Sequence, residues 1–558
     1  MPATPTPELL LTTHNVTALL PEIVLLLSAL VVLLAGAFFG DSAQRRALPF
    51  LALAGAGATA YISACLWGQN LLFGPADRAV YSADNFALFF KFLFLISLAV
   101  TVLISSRFLS PRSGDSHVVS GEYYALLMLA TVGMMMVAGA RDLLVIFLGI
   151  ETFSIALYIL AGFARRRLLS NESALKYFLL GAFASGFLLY GIALMYFAVG
   201  STLLPSITQF AASGGAGASP LGSLSSTTFY LGVAFLIIGL GFKAALVPFH
   251  QWTPDVYEGA PTPVTAFMAT GAKAAAFAAL IRVLPDALGA PQVSSLWHHL
   301  ILVIAVLTMT VGNVVAISQN SLKRMLAYSS IAHAGYLLVG ILAAGSAMRN
   351  STVPGMVEAA ARAKGGVLFY LLAYALMNLG AFAVLVYLEN RRAALREAAG
   401  IPHDDNPNDA FDPEDANLNI GEVRGLAARE PLAAAALTIF LLSLAGIPPT
   451  AGFFGKFSIF LEAMQQGLVG LLLVAVVNSV ISVFYYLRPV LAMYSGDESA
   501  APQLLATADG VAVAATSRAA TLGVVLAITL CAIGVLGMIV LQYALMPCIQ
   551  SAAGLKLP

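Results

Sequence analysis

Apolar stretches of about 20 residues, each long enough to cross a hydrocarbon core of about 30 Å as an α-helix, recur along nearly the whole chain. Roughly fourteen can be counted, near 19–39, 47–67, 84–109, 121–139, 142–163, 174–199, 228–248, 262–284, 298–318, 325–347, 365–389, 432–463, 466–494 and 519–547. Inside lipid every backbone N–H and C=O has to be satisfied within the protein, so only helices or a closed barrel can span, and runs of this length select the helix. The expected fold is therefore an all-α polytopic membrane protein. Composition agrees: of 558 residues 59% are hydrophobic and 10% charged, against about a quarter charged in ordinary soluble domains.

Other classes are excluded by what accompanies these runs. Lysine plus arginine balance aspartate plus glutamate at 28 each, which gives no basis for nucleic-acid binding. Cys65, Cys531 and Cys548 are far apart, without the spacing of a zinc or iron–sulfur site, and read as packing residues. No histidine pair suits haem ligation, so no cofactor is expected on this chain. The N-terminal segment lacks the basic region of a cleaved signal peptide, and the run near 19–39 reads as a retained first helix. Lysine and arginine concentrate in the odd-numbered connections, among them Arg45, Arg46, Arg107, Arg112, Arg165, Arg166, Arg167, Lys323 and Arg324. By the positive-inside rule both termini then face away from the cytoplasm.

Two runs carry internal breaks of the same kind. GLGFKAALVPFHQW is interrupted at Pro248, and SLAGIPPTAGFFGKF at Pro448 and Pro449. In helical geometry these prolines free the carbonyls of Ala244, and of Leu444 and Ala445. Each break lies beside a lysine, Lys243 or Lys456. Interrupted spans at matching places point to an inverted-repeat transporter. Spans four to eight and nine to thirteen form two five-helix units with the break fourth in each, and an odd number of spans per unit gives the inversion. The organisation expected is three helices in 1–120, a first repeat in 121–284, a second in 298–494, and a last helix in 495–558. The second repeat contains an acidic connection, 391–430. Its stretch 400–420 lacks the EF-hand spacing and reads as a solvated loop, and 212–226 reads as a Gly/Ser-rich linker.

The ionisable residues at membrane depth carry the functional reading, because such a group costs a few kcal/mol or more unless paired, hydrated or neutralised. Glu151 is nine residues past Asp142, about 13 Å along a helix and near the midplane. Lys273 is similarly central, and Lys243 and Lys456 flank the breaks. His333 adds a group whose ordinary pKa near 6.5 suits proton exchange, with Tyr328, Ser329 and Ser330 about one turn earlier. A lysine that gains and loses a carboxylate neighbour switches between holding and releasing a proton. Lys91 and Lys176, near the starts of spans, are expected instead to reach an interface.

At these residues the chain resembles the antiporter-like N subunits of proton-pumping NADH:quinone oxidoreductase, respiratory complex I. The most specific passage is PFHQWTPDVYEGAPTPVTAFMATGAKAAAF at 248–277, supported by NSLKRMLAYSSIAHAGYLL at 320–338 and LAGIPPTAGFFGKF at 444–457. Sister subunits and cation/proton antiporters typically have H-x-W-L-P-x-A where this chain has HQWTPDVYEG. The resemblance implies fourteen helices with two inverted repeats and a proton channel in a cell inner membrane, driven remotely by electron transfer. It makes Glu151 the fifth-helix glutamate, Lys243 the seventh-helix lysine, Lys273 the eighth-helix connecting lysine and Lys456 the twelfth-helix lysine, with His333 a looser match to the tenth-helix histidine. Its implied partners are the other membrane-arm subunits of complex I, lipid, protons and, indirectly, the quinone pool. NADH, FMN, iron–sulfur clusters and quinone belong to other subunits. A cation/proton antiporter subunit and a ferredoxin-dependent relative of complex I are the alternatives. The acidic stretch at 400–420 is longer than the family's.

Overall fold

Fourteen apolar helical segments follow one another in the computed structural model, which describes residues 13–38, 41–105, 120–165, 167–213, 223–398, 418–496 and 518–554. Most of the linker 212–226 and of the acidic stretch 400–420 lies outside the described residues, as do the first twelve residues and the side chains of Arg45, Arg46, Arg107, Arg112 and Arg166. Among the described residues thirteen helices are long and apolar enough to cross a membrane without interruption, and the apolar Pro431–Ala445, continued after a break by Ala451–Gln465, makes the fourteenth. The first three spans are Leu20–Phe38, Asp41–Cys65 and Asn85–Ser105. The fourth to eighth are Ser120–Gly139, Leu143–Ala161, Leu168–Val199, Ser223–Lys243 and Thr262–Ala287. The ninth to eleventh are Pro291–Ile317, Leu322–Arg349 and Met356–Ala398. After the broken twelfth come Val469–Tyr494 and Arg518–Ala552. A hairpin of Leu71–Phe73 and Tyr81–Ala83 lies between the second and third.

The packing of spans four to eight recurs in nine to thirteen. The fourth packs on the fifth and eighth, the fifth on the sixth, and the sixth on the seventh; the same neighbours meet as nine with ten and thirteen, ten with eleven, and eleven with twelve. Close approach is achieved in the same way in the two leading pairs. A Cβ added to Gly133 would lie 2.7 Å from the Phe153 nitrogen, and one added to Gly312 would lie 2.6 Å from the Ala332 nitrogen. Small residues let helix backbones meet where lipid gives no hydrophobic drive for association.

Lateral position follows from burial. The apolar windows of the eighth and tenth spans are 100% and 89% buried, whereas those of the first, second, thirteenth and fourteenth are 28–33% buried. The lysines and the histidine of interest therefore belong to, or point toward, a central column screened from lipid. The eighth span is also irregular. Met268–Ala272, just before Lys273, and Arg282–Ala287 are π-helical, a form that concentrates at functional sites.

Local chemistry sets the ends of the helices that carry the site. Asp142 caps the fifth span by accepting from the Leu144 nitrogen at 2.7 Å, satisfying a donor that the first turn leaves without a partner. The seventh span ends at Lys243, Ala245 takes a positive φ of 59°, and the chain resumes as the half-helix Trp252–Gly259. The first half of the twelfth ends at Gly446, φ 86°, in the left-handed conformation glycine tolerates. Both breaks contain a cis X-Pro bond, Val247–Pro248 and Pro448–Pro449.

Candidate functional site

Lys243 is buried, and its ammonium donates to Ser154 Oγ at 2.8 Å and Tyr158 Oη at 3.1 Å on the fifth span. The rings of Phe153, Tyr158, Tyr177 and Phe242 surround it with centroids 5.3–6.0 Å away. These contacts replace part of its lost hydration, since a cation is attracted to ring faces most strongly when desolvated. Glu151 sits one turn before Ser154 on the same helix and accepts a hydrogen bond from Ser185 of the sixth span. No ion pair joins Glu151 to Lys243; Glu151 lies on the same face of the fifth span as Ser154 and Tyr158, the two acceptors of Lys243.

Lys273 donates to Ser330, to its carbonyl at 2.5 Å and to its hydroxyl. Ser330 also lies beside the hydroxyls of Tyr257 and Tyr374, so the half-helix after the first break meets the tenth and eleventh spans there. The Lys273 ammonium lies 5.8 Å from the Tyr374 centroid. His333, three residues past Ser330 and fully buried, bonds Tyr370 Oη through Nδ1 at 2.5 Å and Tyr486 Oη through Nε2 at 3.0 Å. Tyr374 stands 5.1 Å from its ring and Tyr336 5.8 Å, and Tyr336 in turn lies 4.9 Å from the Lys456 ammonium.

Lys456 donates to the carbonyls of Leu444 at 3.1 Å and Ala445 at 2.9 Å, the two that the sequence marks as freed by Pro448 and Pro449, and to Ser479 at 3.2 Å. A cation at the carbonyl end of a half-helix completes acceptors that would otherwise be orphaned and complements the helix dipole. The first break is closed differently. Trp252 Nε1 donates to the Phe242 carbonyl at 3.0 Å, and the Val247 nitrogen donates to Thr308 at 3.0 Å.

The structure thus brings Lys273, His333 and Lys456 into one cluster of hydroxyls and tyrosine rings, with Glu151 and Lys243 in an adjoining one. Trp252 connects them, stacked on Tyr177 at 4.5 Å and 6.1 Å from Tyr257. Sequence reasoning misses Ser154, Tyr158 and Ser185; the signal was present, because Ser154 and Tyr158 follow Glu151 by three and seven residues on one helical face. It also misses Tyr370, Tyr374 and Tyr486, which as aromatics in apolar runs look like packing.

Lys91 corrects the sequence reading. Instead of reaching an interface it is fully buried, paired with Glu22 at 2.9 Å, while Tyr81 Oη donates to the same carboxylate at 2.5 Å. The hairpin and the first span cover it. Lys176 does lie at the surface, paired with Asp255 at 2.7 Å and Glu172 at 2.6 Å. Among the described residues no three His, Cys, Asp or Glu side chains are grouped to hold a metal ion.

Comparison with known proteins places this arrangement. The transmembrane family described as NADH:quinone oxidoreductase/Mrp antiporter matches residues 140–482. The chain belongs to that family. Within it, the chain is 43% identical over 482 residues to NADH-quinone oxidoreductase subunit N of Trichlorobacter lovleyi, covering 86% of this chain and 88% of the relative. It is 44% identical to subunit N 1 of Herpetosiphon aurantiacus, covering 86% and 87%. Among solved structures, a chain of respiratory complex I from Thermus thermophilus superposes with a TM-score of 0.69 at 32% identity, over 95% of this chain and 99% of that one. A chain of the Mrp complex from Dietzia sp. superposes with a TM-score of 0.72 over 96% and 97%, at 20% identity, a likeness of fold alone.

Proposed function

We propose that this antiporter-like chain is the N-type subunit of a membrane-bound NADH:quinone oxidoreductase and moves protons across the membrane, coupled to electron transfer on other subunits. The observation that supports this best is the chain of proton-exchanging groups, half-buried Glu151 and buried Lys243, Lys273, His333 and Lys456, with hydroxyls and tyrosines packed among them along the central column. Residues 121–284 and 298–494 would act as the two transport units, with 1–120 and 495–558 flanking them. NADH, FMN, iron–sulfur clusters and quinone would be held by neighbouring subunits. The host is a cell inner membrane, with both termini on its non-cytoplasmic side.

The geometry accounts for how such a chain would work. Lys273 and Lys456 meet only neutral acceptors, and His333 stands between them, so charge on one disfavours charge on the others and a proton arriving at one end displaces a proton at the next. Lys243 instead has Glu151 within a turn of its hydroxyl cradle, where movement of the carboxylate sets whether the ammonium keeps its proton. A membrane potential of 100 mV contributes about 2.3 kcal/mol per charge moved, enough to bias such exchanges.

In membranes containing the assembled complex, Lys243→Ala and Glu151→Ala should each lower NADH-driven proton pumping and quinone reduction at least tenfold while the subunit still inserts. Normal pumping in both variants would refute the proposal. Copurification addresses the antiporter alternative: flavin- and iron–sulfur-bearing partners support the oxidoreductase, and a complex without them supports the antiporter. Activity with ferredoxin but not NADH would move the chain to a ferredoxin-dependent relative.

A further inference from the structure

Among the described residues, and apart from Lys91 with its Glu22 partner, one fully buried lysine outside the chain just described has no role. Lys323, second residue of the tenth span, is 0% exposed and donates a single hydrogen bond, to the Ala260 carbonyl at 2.9 Å. It forms no ion pair among the described residues, whereas Lys243 and Lys273 each have two acceptors and Lys456 has three. An ammonium carries three donors, so two of its N–H groups lack a protein acceptor at full burial, an arrangement that calls for internal water or an exchangeable proton. The charged groups acting on it are Glu389 of the eleventh span, Glu258 of the half-helix Trp252–Gly259 and Arg167 at the start of the sixth.

Its place in the fold gives the lysine a use. Ala260 and Pro261 join the half-helix to the eighth span, and Glu389, partly exposed, accepts from Thr262 at 2.8 Å on the other side of that junction. Toward the aqueous face, the neighbouring Arg324 pairs with Asp255 at 3.1 Å and Glu258 at 2.6 Å, fixing the half-helix from outside. In the inward direction, Lys323 and Ser330 are seven residues apart on one face of the tenth span, about 10 Å or two turns. Ser330 holds Lys273 and lies beside the hydroxyl of Tyr257 of the same half-helix. A short file of waters would bridge that interval.

We propose that Lys323 and Glu389 form the entry to the proton route, Glu389 collecting protons from the aqueous face and Lys323 passing them to Lys273. The inference rests on the proton-translocating reading above. In the first step the Glu389 O–H bond breaks as an N–H bond forms on neutral Lys323. In the second a Lys323 N–H bond breaks and, through water, an N–H bond forms on neutral Lys273; Glu389 then regains a proton from bulk water.

Arginine at 323 separates this role from a purely structural one, because guanidinium keeps the charge and the donors yet does not release its proton near neutral pH. In membranes with the assembled complex, normalised to NADH oxidation by a soluble electron acceptor, Lys323→Arg is expected to cut proton pumping at least fivefold. Pumping above half the unmodified level would overturn the inference, since charge alone would then suffice. Should the arginine variant not assemble, Glu389→Gln decides: at least a threefold loss supports the entry role, and unchanged pumping overturns it. Lys273→Ala run alongside distinguishes the two failures. If it pumps normally the whole route is wrong; if it is inactive while Lys323→Arg is normal, only the entry assignment falls.

Discussion

The two broken helices solve the same problem with different materials. At the twelfth span Lys456 is held mainly by backbone, the carbonyls of Leu444 and Ala445 at the end of its own first half. At the seventh, Lys243 is held by Ser154 and Tyr158 from another helix, inside a ring of aromatics and one turn from Glu151. Backbone acceptors are fixed by the helix end and do not change with a side-chain rotation. Side-chain acceptors on a neighbouring span move when that span moves. The twelfth-span lysine is therefore held in a fixed setting, and the seventh-span lysine is the one whose surroundings a movement of its neighbour can alter. Lys91 supplies a third case, a buried lysine bound to a carboxylate and removed from both breaks.

Substitutions test these three environments in order of expected effect. Glu22→Gln would leave the Lys91 charge buried without its partner, a loss of about 3–5 kcal/mol; it should lower the amount of folded subunit in membranes, with pumping per assembled complex unchanged. A pumping defect in complexes that do assemble would instead connect Lys91 with the lysines proposed for transport. Next, Gly452→Ala places a Cβ in overlap with the Ser443 carbonyl across the second break, whereas Gly241→Ala at the first meets nothing nearer than a Phe249 ring atom at 3.1 Å. The first of these is expected to destabilise by about 1–3 kcal/mol and the second by less, as read from thermal unfolding of the purified complex. Equal effects would mean that the breaks are equally rigid.

Effects of similar or smaller size bear on the acceptors themselves. Tyr158→Phe or Ser154→Ala removes one of the two acceptors of a buried cation, worth about 1.5–3 kcal/mol, and coupled pumping should fall about tenfold or more. Ser479→Ala leaves Lys456 its two carbonyls and should cost under about threefold. If Ser479→Ala is the more harmful, the backbone does not hold the second lysine as described. Thr308→Val, which removes the acceptor of the Val247 nitrogen at the first break, should cost about 1 kcal/mol of stability with little change in turnover.

How much of this was legible in the sequence depended on rarity. Lysines and glutamate at membrane depth are scarce, and prolines beside them more so, which is why Glu151, Lys243, Lys273, His333 and Lys456 stood out and why the carbonyls freed at the second break, Leu444 and Ala445, could be named before their contact with Lys456 was seen. The count of spans followed from apolar run length. Lys91 was misread because distance from the start of a span suggests an interface, while its burial depends on Glu22 about 70 residues earlier and on a hairpin of two three-residue strands. Tyr370, Tyr374 and Tyr486 were hidden for the opposite reason: tyrosine is ordinary in apolar helices, and only tertiary contact with His333 marks them out.

The π-helical segment before Lys273 carries a consequence for phase. Each residue advances an α-helix by about 100°, so a turn that accommodates one extra residue shifts everything beyond it by about that angle relative to what precedes. Residues before Met268 and after Ala272 are thus out of step by about a quarter of a circle. The early part of the eighth span can keep its contact with the eleventh while Lys273 is aimed at Ser330 of the tenth. Deleting one residue between 268 and 272 would bring the two halves into step, keep every side chain of the cluster in the sequence, and turn Lys273 away from its acceptor.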